Sequence, residues 1–368
     1  MKFLIVTHYF KPHIGGIEII AYNQAKELVK KGHEVTIVTS KIHREKAIEQ
    51  TEGIRIVRIP AWNLFEKKFG IPYPIFSPRL VSTIHSEIKK NDMILAHGAL
   101  YLGSFISSFI AKIYKKPFLL TEHVGFVKYK SSIINAVEKI ALRTIGLTTI
   151  RLSDATIVYN MHVDKWIRQH KNKVHYLPNG VDFNLFHRPT EQEKQAIREQ
   201  YSIPLDAFVV LFVGRFVSKK GFDVLYNAKD PSYLLVFVGG GVIPEYIKAD
   251  DTAKIIGSLT QEDLAMIYKM SDVFILPSHG EGFPLSIQEA MATGLPIITS
   301  KYNNLDQIVD SPLISYIDVT ETEIKSTIKK LQNNGMLRKE MGEYSSKIAR
   351  ENYSWEKNIT ELVSLSPD

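Results

Sequence analysis

Short apolar, β-branched runs recur along the first half of the chain, at Phe3 to Thr7, Val35 to Thr39, Ile54 to Ile59, Met93 to Ala96, Phe118 to Thr121, Thr156 to Tyr159 and Val174 to Leu177. Each has strand length, and turn residues separate them. Helix-period segments lie between several: Ile17, Ala21, Ala25 and Leu28 share one face, closed by Lys30, Lys31 and Gly32 as C-terminal charge and cap. Strands apolar on both faces and alternating with helices predict a parallel sheet covered on both sides.

The second half repeats the pattern at Val209 to Val213, Leu234 to Val238, Lys254 to Ile256, Val273 to Leu276, Ile297 to Thr299 and Leu313 to Ile317, with helices over Glu262 to Met270 and Leu285 to Ala292. Between the halves, Pro178 to Pro189 and a charged helix over Glu191 to Gln200 read as a linker and the entry to a second domain. The predicted architecture is α/β, two doubly wound Rossmann-like domains. Its boundaries fall at 1–186 and 187–353, with 354–368 a helix returning to the first domain. Such sheets bind ligands at the carboxyl ends of their strands, so two that face each other create one central cleft.

At 368 residues and 45% hydrophobic composition the chain can bury two cores. The absence of cysteine excludes a disulfide framework, a thiolate metal site and a thiol nucleophile; it fits a reducing compartment, and a cytoplasmic location is expected. No secretory apolar region follows Met1, and Leu100 to Ile113 is too short to span a bilayer, so neither a signal peptide nor a transmembrane segment is expected. The formal charge of +7 is unevenly spread: residues 1–185 carry 27 basic against 14 acidic side chains, and the remainder 19 against 25. A basic half invites a phosphate-rich surface, lipid or nucleic acid.

The densest chemistry is Ser278-His279-Gly280-Glu281-Gly282-Phe283-Pro284-Leu285, directly after one strand, with Glu289 further on. Gly280, Gly282 and Pro284 keep Glu281 in a loop, while Glu289 falls within the helix that Pro284 starts. Two carboxylates so placed can contact different hydroxyl pairs of one extended ligand, and the helix start offers free N–H groups to an anionic oxygen. This suits a sugar joined to a phosphate; mere solvated charges would leave the glycines without purpose. Gly214, Arg215, Lys220 and Gly221 place two cations at another strand end, where Arg can grip a diphosphate bidentately and Lys acts as a point charge. Alone, that loop would read as a solvated basic turn. Gly15 and Gly16 sit between the first strand and first helix, where backbone amides can approach a phosphate, or where the chain merely turns. They lack G-x-G-x-x-G, so no dinucleotide fingerprint is present. Gly239, Gly240 and Gly241 are read as structural first and ligand-adjacent second.

The stretch Glu281 to Glu289 resembles the Glu-x7-Glu motif of retaining glycosyltransferases of the two-domain GT-B class, in the family four that includes sucrose synthases and bacterial glycolipid mannosyltransferases. Similarity covers nearly the whole chain: Pro12-His13-Ile14-Gly15-Gly16-Ile17-Glu18, Leu177-Pro178-Asn179-Gly180-Val181-Asp182, Gly214-Arg215, Lys220-Gly221, Gly239-Gly240-Gly241, and Glu281 through Pro296. Any one is weak; their order and spacing are specific. The resemblance implies a GT-B fold and a retaining, metal-independent hexosyltransferase. It would take a UDP- or GDP-linked sugar as co-substrate, with no resident cofactor; the basic first half adds the expectation of a glycan acceptor that is lipid-linked or a glycolipid. By the same resemblance Arg215, Lys220 and Gly214 hold the donor diphosphate, Glu281 orients the donor sugar, Glu289 the ribose, and Gly282, Phe283, Pro284 and Leu285 frame the site. His123, ending the Phe118 to Glu122 run, resembles the family's active-site histidine beside the transferred sugar; His97 competes, and His8, His13 and His279 are weaker candidates.

No Asp-x-Asp pair occurs, and His and carboxylate spacing suggests no metal cluster, so leaving-group charge is expected to fall to Arg215, Lys220 and helix N-termini. Two other functions compete with this one. A sugar-nucleotide epimerase would share the fold but need no acceptor, and Glu281 through Pro296 argues against it. A nucleic-acid-binding protein would use a basic groove with interleaved aromatics, yet Arg215 and Lys220 lie outside the basic half. The acceptor side carries one more expectation, docking on an anionic membrane. From Phe126 to Arg151, Lys128, Lys130, Lys139 and Arg143 accompany Ile133, Ile134, Val137, Ile140 and Leu142. A covering helix buried on its sheet would need the same apolar face.

Overall fold

In β1 (Lys2–Val6), Leu4 and Val6 enter one core while Phe3 and Ile5 enter another on the opposite face of the sheet, as the two-residue period of a strand requires. The computed structural model describes the chain except for residues 14, 43, 70, 124–130, 160, 172, 242–246, 248–252, 280–282, 302–308 and 366–368, and the side chains of 67–69 and 161–162. It divides into two compact units, Met1–Gly180 with Trp355–Asp368, and Val181–Ser354.

In the first unit, β2 (Glu34–Lys41), β3 (Ile48–Thr51), β4 (Ile54–Trp62), β5 (Ile75–Phe76), β6 (Met93–His97), β7 (Phe118–Glu122), β8 (Ala155–Val158) and β9 (Val174–Tyr176) join β1. Their order is β3-β4-β2-β1-β6-β7-β8-β9, with β5 beside β4. All pairings are parallel except those of β3 and β5 with β4. The second unit holds β10 (Val209–Val213), β11 (Leu234–Val238), β12 (Ala253–Ile256), β13 (Val273–Leu276), β14 (Ile297–Ser300) and β15 (Ser315–Ile317), all parallel, in the order β12-β11-β10-β13-β14-β15. Each unit is thus a doubly wound α/β sheet. The strand order reverses at β1 in one and at β10 in the other, so crevices open at their carboxyl ends.

The expected parallel strands are all present. The edge strand β3, sequence IEQT, escaped the apolar pattern because its side chains are largely exposed. The units part at Gly180, not after 186, because Val181 and Phe186 belong to the second core, where the Phe186 ring meets Tyr268 edge-on at 5.6 Å. The chain returns at Trp355 in the helix Trp355–Ser364, whose Ile359 and Leu362 pack with Ala21, Ala25 and Leu28 of the helix Gly16–Lys30.

Gly180 has a packing reason. A Cβ there would stand 2.5 Å from the Trp355 Cα and 2.4 Å from its ring, and Asn358 donates to the Pro178 carbonyl at 2.7 Å just beside. Gly180→Ala is expected to destabilise the first unit by about 1–3 kcal/mol, as overpacking against backbone does. Chemical denaturation checks this; an unchanged midpoint would mean that Trp355 shifts aside without loss.

Candidate active site

At the second unit's order reversal, three strand ends close on one another through backbone contacts that only glycine permits. The Gly214 N–H donates to the Val238 carbonyl at 2.9 Å and the Phe216 N–H to that of Gly240 at 2.8 Å, tying the β10 and β11 loops. A Cβ on Gly239 would stand 2.0 Å from the Gly214 oxygen, and one on Gly221, whose φ is +68°, would stand 2.1 Å from the Pro277 oxygen. The His279 N–H donates to the Lys219 carbonyl at 2.8 Å, bringing in the β13 loop. Gly239 and Gly241 are therefore packing residues, and their first role is to bring these loops together.

On this base Arg215 is exposed and Lys220 half-buried. The Lys220 stem runs beside Gly214, its Cδ 3.7 Å from where a Cβ on that glycine would lie. The two predicted cations thus share one loop at the strand end. Glu281 and Gly282, expected to face the donor sugar, lie outside the described residues, as does Gly280. The helix Leu285–Ala292 begins with Pro284 as its N-cap, so the N–H groups of Leu285 and Ser286 start the helix. The Phe283 ring is 4% exposed and packs edge-on against Tyr353 at 4.9 Å, which leaves the backbone as what Phe283 can offer a ligand.

Glu289 differs from a surface carboxylate. It is 3% exposed, and burial pushes its carboxyl up to about 8 despite the opposing hydrogen bonds of Tyr268 and Gln261. The Tyr268 hydroxyl lies 3.1 Å from Glu289 Oε2 and 3.0 Å from the Ser286 carbonyl. It has one hydrogen. Donating that to Ser286 and accepting from a protonated Glu289 satisfies all three groups.

The first unit offers a second crevice, where β1 lies between β2 and β6. The helix Gly16–Lys30 starts there. Glu18 folds back over Gly15, its Oε2 2.4 Å from where a Cβ on that glycine would stand. Nothing lies within 4 Å of a Cβ on Gly16, which leaves open space over the helix start. His13 bridges Glu18 at 2.7 Å and Glu66 at 3.2 Å; burial works against its charge, but the two carboxylates raise its pKa above the usual value. His123, at the end of β7, is neutral: burial lowers its pKa well below the usual value, and His97 and His8 lower it further. Its Nε2 lies 2.9 Å from His97 Nδ1, and Tyr159 stacks on its ring at 4.8 Å. His8 stacks instead on Tyr101 at 3.8 Å.

Two family models match the chain: Glycosyltransferase Family 4 over residues 14–185 and Glycosyl transferases group 1 over residues 193–348. The chain belongs to glycosyltransferase family 4. An uncharacterized glycosyltransferase of Methanocaldococcus jannaschii is 26% identical, covering 99% of this chain and 98% of that protein. Alpha-monoglucosyldiacylglycerol synthase of Acholeplasma laidlawii is 24% identical over 84% of this chain and 83% of its own length. The fold matches that of Anabaena HepE, solved in complex with UDP and glucose, with a TM-score of 0.78 at 16% identity, covering 99% of this chain and 98% of that one. The protein is a GT-B glycosyltransferase, and the epimerase alternative is not favoured.

In this family 4 enzyme the pairing of His97 with His123 escaped the sequence reading, which set the two in competition. Strand order carries the signal: β6, β7 and β8 are neighbours, and His97, His123 and Tyr159 sit at their carboxyl ends. Tyr268 was likewise missed, because its partner lies 21 residues away on another helix. The stretch with the predicted basic and apolar stripe holds the helix Ser132–Ala141, in which no residue is buried, and runs on through Leu142–Gly146 and Leu147–Leu152, which bury Gly146, Leu147, Thr149 and Ile150; Ile134 and Leu142 of the stripe are half-buried. Ile133, Val137 and Ile140, one face at helical spacing, are 77, 61 and 64% exposed, and Lys139 and Arg143 are exposed with them. Phe126, Lys128 and Lys130 lie outside the described residues. Among the described residues no helix is long and apolar enough to cross a membrane, and no group of three or more His, Cys, Asp or Glu could hold a metal ion.

Proposed function

We propose that this glycosyltransferase moves a hexose from a UDP- or GDP-linked donor, with retention and without a metal ion, to a lipid-linked or glycolipid acceptor at an anionic membrane surface, the inner leaflet facing the cytoplasm. The glycine-closed junction of β10, β11 and β13 carries the donor half, because it presents Arg215 and Lys220 from one rigid loop. The UDP and glucose held by HepE support a nucleotide-sugar donor.

In the reaction, the acceptor hydroxyl oxygen bonds to the anomeric carbon on the face from which the diphosphate departs. The bond from that carbon to the phosphate oxygen breaks, and the hydroxyl proton passes to the departing phosphate. No protein nucleophile takes part. Arg215 and Lys220 neutralise the charge that develops on the diphosphate, with help from the N–H groups that start the helix Leu285–Ala292. Glu281 orients the sugar and Glu289 the ribose, while His123 lies beside the transferred sugar.

For the acceptor half, the exposed face of Ile133, Val137 and Ile140 beside Lys139 and Arg143 supports contact with a lipid surface, where apolar side chains enter the interface and basic ones meet anionic headgroups. A buried covering helix would hide that face. The name of the Acholeplasma relative supports a glycolipid. Each basic residue near an anionic leaflet adds about 1 kcal/mol, an attraction that salt screens. The enzyme is expected to sediment with anionic vesicles at low salt and with neutral ones far less, and Ile133→Ser with Val137→Ser and Ile140→Ser should lower that binding roughly tenfold or more. Equal partitioning to both lipids, or to neither, moves the acceptor to a soluble sugar or protein.

A further inference from the structure

We propose that His97 is a positioning residue that fixes both the tautomer and the ring plane of His123, making His123 a neutral Nδ1–H donor. The assignment of that donor to the transferred sugar rests on the function proposed above; the pairing itself does not.

The geometry defines the bond. His97 Nδ1 and His123 Nε2 are 2.9 Å apart, the ring centroids 5.2 Å, and the planes differ by 15°. The centroid separation is close to the nitrogen separation plus two ring radii, so the rings meet edge to edge in nearly one plane. That is the arrangement a linear N–H to N hydrogen bond demands. The face of Tyr159 then covers the His123 ring at 4.8 Å and 23°. Tyr159 is itself buried, and its hydroxyl accepts from Gln24 Nε2 at 3.5 Å. His123 is thereby held in plane by His97 and from above by Tyr159.

The direction of the bond follows from what the buried partner can tolerate. His97 is 0% exposed, and burial pushes its pKa down to about 3, so near pH 7 it carries one ring hydrogen. His123 is neutral for the same cause. Two neutral rings share a single hydrogen in the bond, which leaves two arrangements. If His123 donates through Nε2–H, the His97 hydrogen must sit on its own Nε2. That atom is buried and has no hydrogen-bond partner among the described residues, so the result is an orphaned N–H. If His97 donates through Nδ1–H, its Nε2 is merely an unfilled acceptor, the less costly of the two defects. The second arrangement puts the proton of His123 on Nδ1. Neither ring can switch without creating the buried orphan.

Histidine-labelled full-length enzyme, with long-range proton–nitrogen NMR correlations and His123→Gln to assign the signals, reads the tautomer directly. Wild type is expected to show His123 protonated at Nδ1. His97→Asn keeps a donor near the place of Nδ1 and should preserve both that pattern and most of kcat. His97→Leu removes the donor; the His123 signals should move toward the Nε2–H pattern, and kcat should fall on the order of 10- to 100-fold, as loss of precise orientation does, with the donor KM changed much less. Thermal unfolding of both variants shows whether they are folded, and the wild-type spectrum is decisive even if His97→Leu is not. A wild-type His123 protonated at Nε2, or a folded His97→Leu with unchanged spectrum and kcat, overturns the proposal. If the spectra follow the expected pattern while His123→Ala turns over normally, the pairing stands and the placement of His123 beside the sugar falls.

Discussion

Replacing Arg215 or Lys220 by alanine is expected to lower kcat by roughly 10²-fold or more in each case, the usual effect of removing one preorganised group that stabilises developing charge. Both stand on the loop after β10, whose backbone is tied to the β11 and β13 loops by contacts at Gly214, Gly239 and Gly221. Those ties hold the backbone from which both cations extend. Their contribution should appear chiefly in the transition state, lowering kcat and kcat/KM together more than it raises KM. Steady-state kinetics on the two variants checks this. Near-normal turnover in both would make the loop a solvated basic turn.

The affinity for the intact nucleotide sugar is expected to rise with pH by up to about tenfold per unit between roughly pH 6 and 8, and then to level off. The cause is Glu289, whose carboxyl burial pushes up to about 8. A ribose diol offers two hydroxyl donors, which favour the ionised carboxylate. Binding therefore lowers this pKa and releases a proton, and affinity grows as pH approaches the value in the free enzyme. The donor's phosphodiester linkages do not titrate in this window. Stability runs the other way: the carboxyl ionises in the unfolded chain near its ordinary value but stays protonated when folded, so folding weakens as pH rises from that value through about 8. Glu289→Gln should flatten both profiles. A wild-type affinity independent of pH would show that Glu289 does not meet the ribose as a carboxylate.

The fold was legible because buried parallel strands read as uninterrupted apolar runs, and because Pro178 to Pro189 interrupts them between the domains. The polar edge β3 and the two-residue β5 give no such signal. Of the candidate site, the strand-end loops were legible from glycines and cations clustered after apolar runs. What those glycines accommodate was not: Gly180 makes room for Trp355, 175 residues away in sequence, and Gly239 for the Gly214 carbonyl. The partners of His123 were hidden because strand order, and not sequence spacing, brings His97 and Tyr159 to it. The protonation of Glu289 depends on burial and on Tyr268, neither of which a motif records. The stripe at Ile133, Val137 and Ile140 suits a buried or an exposed helix equally by periodicity, and only the structure shows it exposed.

The proposed chemistry on a nucleotide sugar is metal-free and retaining. Proton NMR can follow the slow hydrolysis of UDP- and GDP-linked hexoses by the full-length enzyme in a chelating buffer, without knowledge of the acceptor. One donor is expected to be consumed at a rate the chelator does not alter, and the free sugar should first appear with the anomeric configuration it had in the donor. First appearance of the opposite anomer, or consumption only when Mg²⁺ or Mn²⁺ is restored, would contradict it.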